Sequence, residues 1–125
     1  MKILNKAILP NGFYASGIHC GIKKSKSKDL GLIYSDSDCA CAGMFTANKV
    51  KAGSLLVCSR QLRKSNRTGR AIIVNSGNAN CFVGERGIKD ALRIIQNIGR
   101  QLKISKDNIF IASTGIIGKP LPSVL

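Results

Sequence analysis

Residues 70–113 hold the pattern that most restricts what this chain can fold into. "RAIIVN" (70–75) is short, apolar and β-branched, and it runs into the polar, glycine-containing "NSGNAN" (75–80). "GERGIKDALRIIQNIGRQLKIS" (84–105) then sets Ile88, Ala91, Leu92, Ile95, Ile98 and Leu102 on or near one helical stripe. Glu85 near its start and Arg100 and Lys103 near its end suit the helix dipole. After the polar "SKDN" (105–108) comes "IFIAS" (109–113), a second strand of the buried type. Strand, helix, strand over this length predicts a βαβ unit with parallel strands. Residues beyond the carboxyl ends of such strands face one crevice. Asn75–Asn80 and Ser113–Gly118 are therefore expected to converge on one sheet edge, and a site is expected there.

The first half reads as strands and turns. "FYASGIHCGI" (13–22) and "DLGLIYS" (29–35) flank a lysine-rich turn, the pattern of a hairpin. "CACAGMFTA" (39–47) and "SLLVCSR" (54–60) supply further strand-like apolar runs. With 125 residues the chain is one domain at most, spanning 1–125, and its fold class is α/β. The start, "MKILNKAILPNG", has too short an apolar run for an export signal, and no stretch approaches a membrane span. A cytoplasmic location is the expectation.

Five cysteines, an odd number, fit free thiols better than a disulfide framework. Cys39 and Cys41 would share one strand face as small core residues. His19 is the only histidine, so a metal site is not expected. The net charge of +14 gathers in "KKSKSK" (23–28) and "SRQLRKSNRTGR" (59–70). No aromatic residue interleaves with either cluster, which argues against nucleic acid and for two solvated loops. The alternative is a small basic binding module for nucleic acid or an acidic protein.

The chemistry of the two convergent segments can be narrowed by type. Ser113 or Thr114 as a nucleophile needs a base within reach, and the chain offers only His19 as an obvious one. A Walker loop fails as well, because Ser113 stands where its first glycine belongs and Pro120 follows Gly118-Lys119. An electrostatic role remains: a threonine hydroxyl beside a glycine N–H offers two donors to a tetrahedral oxyanion. The plain alternative is a strand-to-loop turn, and Ser-Thr-Gly alone does not exclude it. The amides of "NSGNAN", if buried, are expected to brace neighbouring backbone.

Several stretches in order, "GFYASGIHCGIK", "DLGLIYSD", "AGMFTANKVKA", "VNSGNAN" and "ASTGIIGKPLP", resemble the amino-terminal part of the ornithine acetyltransferases. These are the bifunctional glutamate N-acetyltransferase and amino-acid acetyltransferase enzymes of arginine biosynthesis. The resemblance runs from about Pro10 to the last residue, and "VNSGNAN" and "STGIIG" are its most specific parts. The chain departs from the family pattern at "KAGSLLV", where alanine-proline is usual, and at "NANCFVG", where threonine commonly precedes the glycine.

The resemblance implies a layered sheet-and-helix sandwich of which this chain is an incomplete domain. It implies a precursor that cuts itself at an Ala–Thr bond, giving α and β chains that assemble further. The freed threonine carries acetyl from N2-acetylornithine to glutamate, with acetyl-CoA as a further candidate donor and no cofactor. Thr114 and Gly115 match the family's oxyanion hole, with Asn75, Ser76, Gly77, Asn78 and Asn80 as a supporting loop. Thr46, Thr68 and Thr114 follow Phe45, Arg67 and Ser113, so residues 1–125 contain no Ala–Thr bond. The nucleophile is expected on the rest of the enzyme, as part of the β chain.

Overall fold

The computed structural model describes residues 8–122. Most of the apolar start discussed above, residues 1–7, lies outside the described residues, as do residues 123–125. The element order is β1 (Phe13–Ile18), β2 (Leu30–Ala40), α1 (Gly53–Lys64), β3 (Thr68–Asn78), α2 (Glu85–Leu102) and β4 (Ile109–Ile116), with a short 3-10 turn at Lys106–Asn108. The four strands form one sheet in chain order.

β1 and β2 are the expected hairpin around the lysine-rich turn, running from Phe13↔Ser35 to Ile18↔Leu30. β2 pairs antiparallel with β3, with a shift of register between Tyr34 and Cys39. Arg70 fills that irregularity by donating to the carbonyls of Ser35 and Asp36 and to the Tyr34 hydroxyl. β3 and β4 are parallel and joined by α2, so the βαβ unit is present.

Both helices are against one face of the sheet. Ala71 and Ile73 of β3 and Ile109 and Ile111 of β4 meet Val57 of α1 and Ala91, Ile94 and Ile95 of α2 in the core. Leu92, expected on the buried stripe of α2, is exposed, and Ile94 is buried in its place. Ile88, Ile98 and Leu102 pack at the core margin.

"SLLVCSR" is helix rather than strand. Its buried residues are Ser54, Val57, Cys58 and Gln61, spaced as one helical face. A four-residue apolar run does not distinguish the two periods; the spacing only becomes visible when polar Ser54 and Gln61 are counted as buried. Cys58 staples the helix to β4: its thiol donates to the Ile111 carbonyl (2.9 Å) and accepts from the Ile111 N–H (3.1 Å). Burial pushes that thiol's pKa up, which keeps it protonated as a donor. Gly53 starts α1 against the backbone of Gly87 and Ile88, where a Cβ would collide.

Of "CACAGMFTA", only Cys39 and Ala40 belong to β2; Cys41 onward is irregular and mostly exposed. Cys39 and Cys41 are half-buried, not core. The second basic cluster is also not a loop, since residues 59–64 complete α1 and 68–70 begin β3. Arg63 and Lys64 there occupy the helix's last turn, where cations suit the dipole.

The other sheet face is only partly covered: Ile72, Phe110 and Ala112 line a cavity there with Phe45 and with Leu55 and Leu62 of α1. Ile33 and Ile72 are neighbours there, 39% and 40% exposed, and Ala112 is exposed beside them. β1 pairs with no strand on its outer side among the described residues, and the outer edge of β4 is only partly covered, by Cys58 of α1 at Ile111. The 125-residue chain expressed alone is therefore expected to self-associate. Size-exclusion chromatography with light scattering checks this, and a monodisperse, cooperatively melting monomer would contradict it.

Candidate active site

The two segments expected to converge do so, as paired strand rather than as loops. β3 continues through Asn78 and β4 through Ile116, with Asn75 opposite Ser113, Ser76 opposite Thr114 and Gly77 opposite Gly115. The register slips at Gly77/Asn78, where the backbones press together. Gly115 has φ +134° and Gly77 φ +108°, both in the region that favours glycine. A Cβ on Gly115 would run into the carbonyl carbon of Gly77 and the nitrogen of Asn78. The group that closely approaches Gly115 is thus the neighbouring strand. Thr114 and Gly115 are both exposed at this tip.

The asparagines beneath are buried and act as braces. Asn75 donates to the Asn78 carbonyl (2.8 Å). Asn78 donates to the carbonyls of Lys119 and Pro120 (3.0 Å each) and accepts from the Asn80 N–H (2.8 Å). Asn80 donates to the Gly87 carbonyl in α2, while its own carbonyl accepts from Gly53 at the start of α1. Both helices and the segment after β4 therefore hang from "NSGNAN".

A second anchor was not visible as such in the sequence. Asp29, which follows the lysine run directly, is 2% exposed. Its carboxylate accepts from the N–H groups of Cys20 (2.7 Å) and Lys23 (2.9 Å), and His19 Nδ1 lies 3.1 Å away. Its carbonyl accepts from the Ser76 N–H (2.8 Å), tying the 19–29 loop to the site. Burial alone would raise the Asp29 pKa, but the two N–H donors prevail and hold it well below the usual carboxylate range. Burial and the adjacent Asp29 push the Cys20 thiol up. The one available signal was Asp29's isolation as a carboxylate behind four lysines in "KKSKSK".

Ser113 has a buried Oγ with no partner among the described residues. It lines an apolar cavity of about 370 Å³ under the 41–52 segment. His19 is engaged with Asp29 and with the Ser27 carbonyl (3.0 Å). Among the described residues no group of three or more His, Cys, Asp or Glu side chains could hold a metal ion, and no helix is long and apolar enough to cross a membrane.

The ArgJ family model matches residues 14–124. The chain belongs to the ArgJ family. The arginine biosynthesis bifunctional protein ArgJ of Oceanobacillus iheyensis is 44% identical over 113 residues, covering 90% of this chain and 27% of that protein. Its namesake from Caldanaerobacter subterraneus is 44% identical over 123 residues, covering 98% and 30%. The chain thus spans under a third of the length of these ArgJ relatives. The crystal structure of ArgJ from Bacillus halodurans superposes with a TM-score of 0.85 at 38% identity, over 90% of this chain and 58% of that one. Ornithine acetyltransferase from Mycobacterium tuberculosis, complexed with ornithine, gives a TM-score of 0.86 at 36% identity, over 90% and 61%. The ArgJ fold is therefore present here as an α/β sheet-and-helix layer, and partial coverage of both solved chains fits an incomplete domain.

Two outcomes are expected of variants made in the complete ArgJ protein. Gly115→Ala combines a disfavoured φ with a backbone collision, so it should cost about 3 kcal/mol in stability, read from the denaturation midpoint. An unchanged midpoint would mean that the β3–β4 contact is looser than described. Asp29→Asn should raise amide hydrogen exchange at Cys20 and Lys23. A carboxylate with a lowered folded pKa keeps its contribution above the unfolded value and loses it as pH falls through the folded one. Protection in the unmutated protein should consequently persist through mildly acidic pH and fail only in stronger acid.

Proposed function

We propose that residues 1–125 act as the amino-terminal portion of the α chain of an ornithine acetyltransferase, in which this segment supplies the oxyanion hole. The observation that carries the reading is the exposed Thr114-Gly115 pair at the tip of β4, in a chain of the ArgJ family. The attacking group is a threonine freed by cleavage of an Ala–Thr bond, on polypeptide outside residues 1–125. The enzyme is an α/β hetero-oligomer in the cytoplasm.

The reaction follows from the donors. The threonine hydroxyl attacks the acetyl carbon of N2-acetylornithine, its proton passing to the threonine's own α-amine. The carbonyl oxygen becomes an oxyanion, to which the Thr114 hydroxyl and the Gly115 N–H donate. Collapse expels the ornithine amine, which takes the proton, and leaves acetyl-threonine. The amine of glutamate then attacks that ester through the same oxyanion geometry, giving N-acetylglutamate and the free threonine. Acetyl-CoA is the alternative donor for the first half, with the thiolate leaving instead. No metal or cofactor is needed for these steps, because hydrogen-bond donors carry the charge development.

Rigidity of the hole comes from the Gly77–Gly115 contact and the asparagine braces. A preorganised donor pair needs no rearrangement as charge develops. The 2.8 Å bond from the Ser76 N–H to the Asp29 carbonyl fixes the strand that lies beside Thr114.

The test is a chimera in which this chain replaces the matched part of the Caldanaerobacter ArgJ protein. Acetyl transfer from N2-acetylornithine to glutamate is expected; a folded chimera without it would sink the proposal. Within an active chimera, Thr114→Ala should lower kcat about 100-fold, or about 3 kcal/mol, with KM changing less. Unchanged turnover would remove Thr114 from the mechanism.

A further inference from the structure

A concentration of positive charge stands at the pole opposite the β3–β4 tip. β3 begins at Thr68 and β4 at Ile109, and α1 and α2 both end beside those starts. Arg63 and Lys64 close α1, Arg67 precedes β3, Arg100 and Lys103 close α2, and Lys106 precedes β4. All six are exposed. Asp107 is the one carboxylate beside them, 3.7 Å from Lys64, and the other five cations are in no ion pair among the described residues.

The backbone bonds at this pole hold the six in one patch. The Gln61 side chain donates to the Lys106 carbonyl (2.6 Å), which ties the end of α1 to the turn before β4. Arg67 (φ +59°) and Lys103 (φ +55°) both occupy left-handed turn positions. The Arg67 N–H donates to the Leu62 carbonyl (3.1 Å), and the Lys103 N–H donates to that of Gly99. Arg100, Lys103 and Lys106 line one recess of about 330 Å³. Helix dipoles account for cations in the last turns, but not for Arg67 and Lys106, which lie beyond the helices.

The kind of anion that fits follows from what the patch lacks. Leu62, Leu102 and Ile104 beside it are half-buried, and no exposed large apolar or aromatic side chain stands among the cations. A protein partner draws most of its affinity from apolar and aromatic anchors, which this pole does not offer. Nucleic-acid single strands stack on aromatic side chains, which are missing too. The phosphate backbone of a duplex needs neither, because ammonium and guanidinium groups alone bind it. We propose that this pole is a docking surface for duplex nucleic acid, held through its phosphates without sequence preference. The surface lies away from Thr114 and Gly115, so the proposal is independent of the acetyl-transfer reading.

The experiment uses the chimera described above and titrates it with a short duplex DNA of mixed sequence at several salt concentrations, read by fluorescence anisotropy. Six phosphate contacts should make log affinity fall against log salt with a slope of about −5. Arg63→Ala/Lys64→Ala/Arg67→Ala and Arg100→Ala/Lys103→Ala/Lys106→Ala should each weaken binding about tenfold or more and make the slope shallower by about 3. Acetyl transfer and the denaturation midpoint should change little in either. Lys24→Ala/Lys26→Ala/Lys28→Ala, which removes as many charges at the tip end of the sheet, should bind as the unmutated protein does. No duplex binding by the folded chimera, or an equal loss in that last variant, overturns the proposal. Single-stranded DNA or poly-L-glutamate bound as tightly as the duplex would overturn it as well, the latter assigning the patch to an acidic polypeptide. Duplex binding that depends on the pole, in a chimera without acetyl transfer, would keep this surface and sink the catalytic reading.

Discussion

Asn78 donates to the carbonyls of Lys119 and Pro120, and its own side-chain oxygen receives the N–H of Asn80. Asn80 in turn reaches the Gly87 carbonyl in α2 and receives Gly53 at the start of α1. These amides are buried where water cannot substitute for a lost partner, so breaking one leaves polar groups unpaired at considerable cost. Through them the strand tip, both helices and the segment after β4 share one set of bonds. The position of Thr114 and Gly115 follows from that arrangement.

The glycines serve the same end by a different route. Gly115 lets the β4 backbone touch Gly77–Asn78, and Gly77 lets the lysine loop close over β3. A side chain at either place would separate elements that the asparagines draw together. Hydrogen bonding and close packing therefore act on the same few residues, and the Thr114–Gly115 tip is held by both.

The charge of the chain takes on a different meaning once folded. Lysines 23, 24 and 119 meet around one cleft although Lys119 lies some 95 residues farther along. Asp29 makes this arrangement possible by binding backbone N–H groups rather than the lysine side chains beside it in sequence. One buried carboxylate shapes the loop, and among the described residues these ammonium groups are in no ion pair.

The βαβ unit, the hairpin and the convergence of 75–80 with 113–118 were legible in the amino-acid sequence, because each follows from periodicity over a long enough window and from parallel-strand geometry. The family motifs were legible too, and the match over residues 14–124 agrees with them. The helical state of 53–64 was not: its buried face includes Ser54 and Gln61, polar residues that only tertiary partners place inside. Nor were the extension of both strands through the glycines, the seat of Asp29 and the lysine cleft. Local pattern determined which segments could be strand or helix. Only packing decided how they touch, since a hydrogen bond such as that from Cys58 to Ile111 depends on residues far apart in the chain.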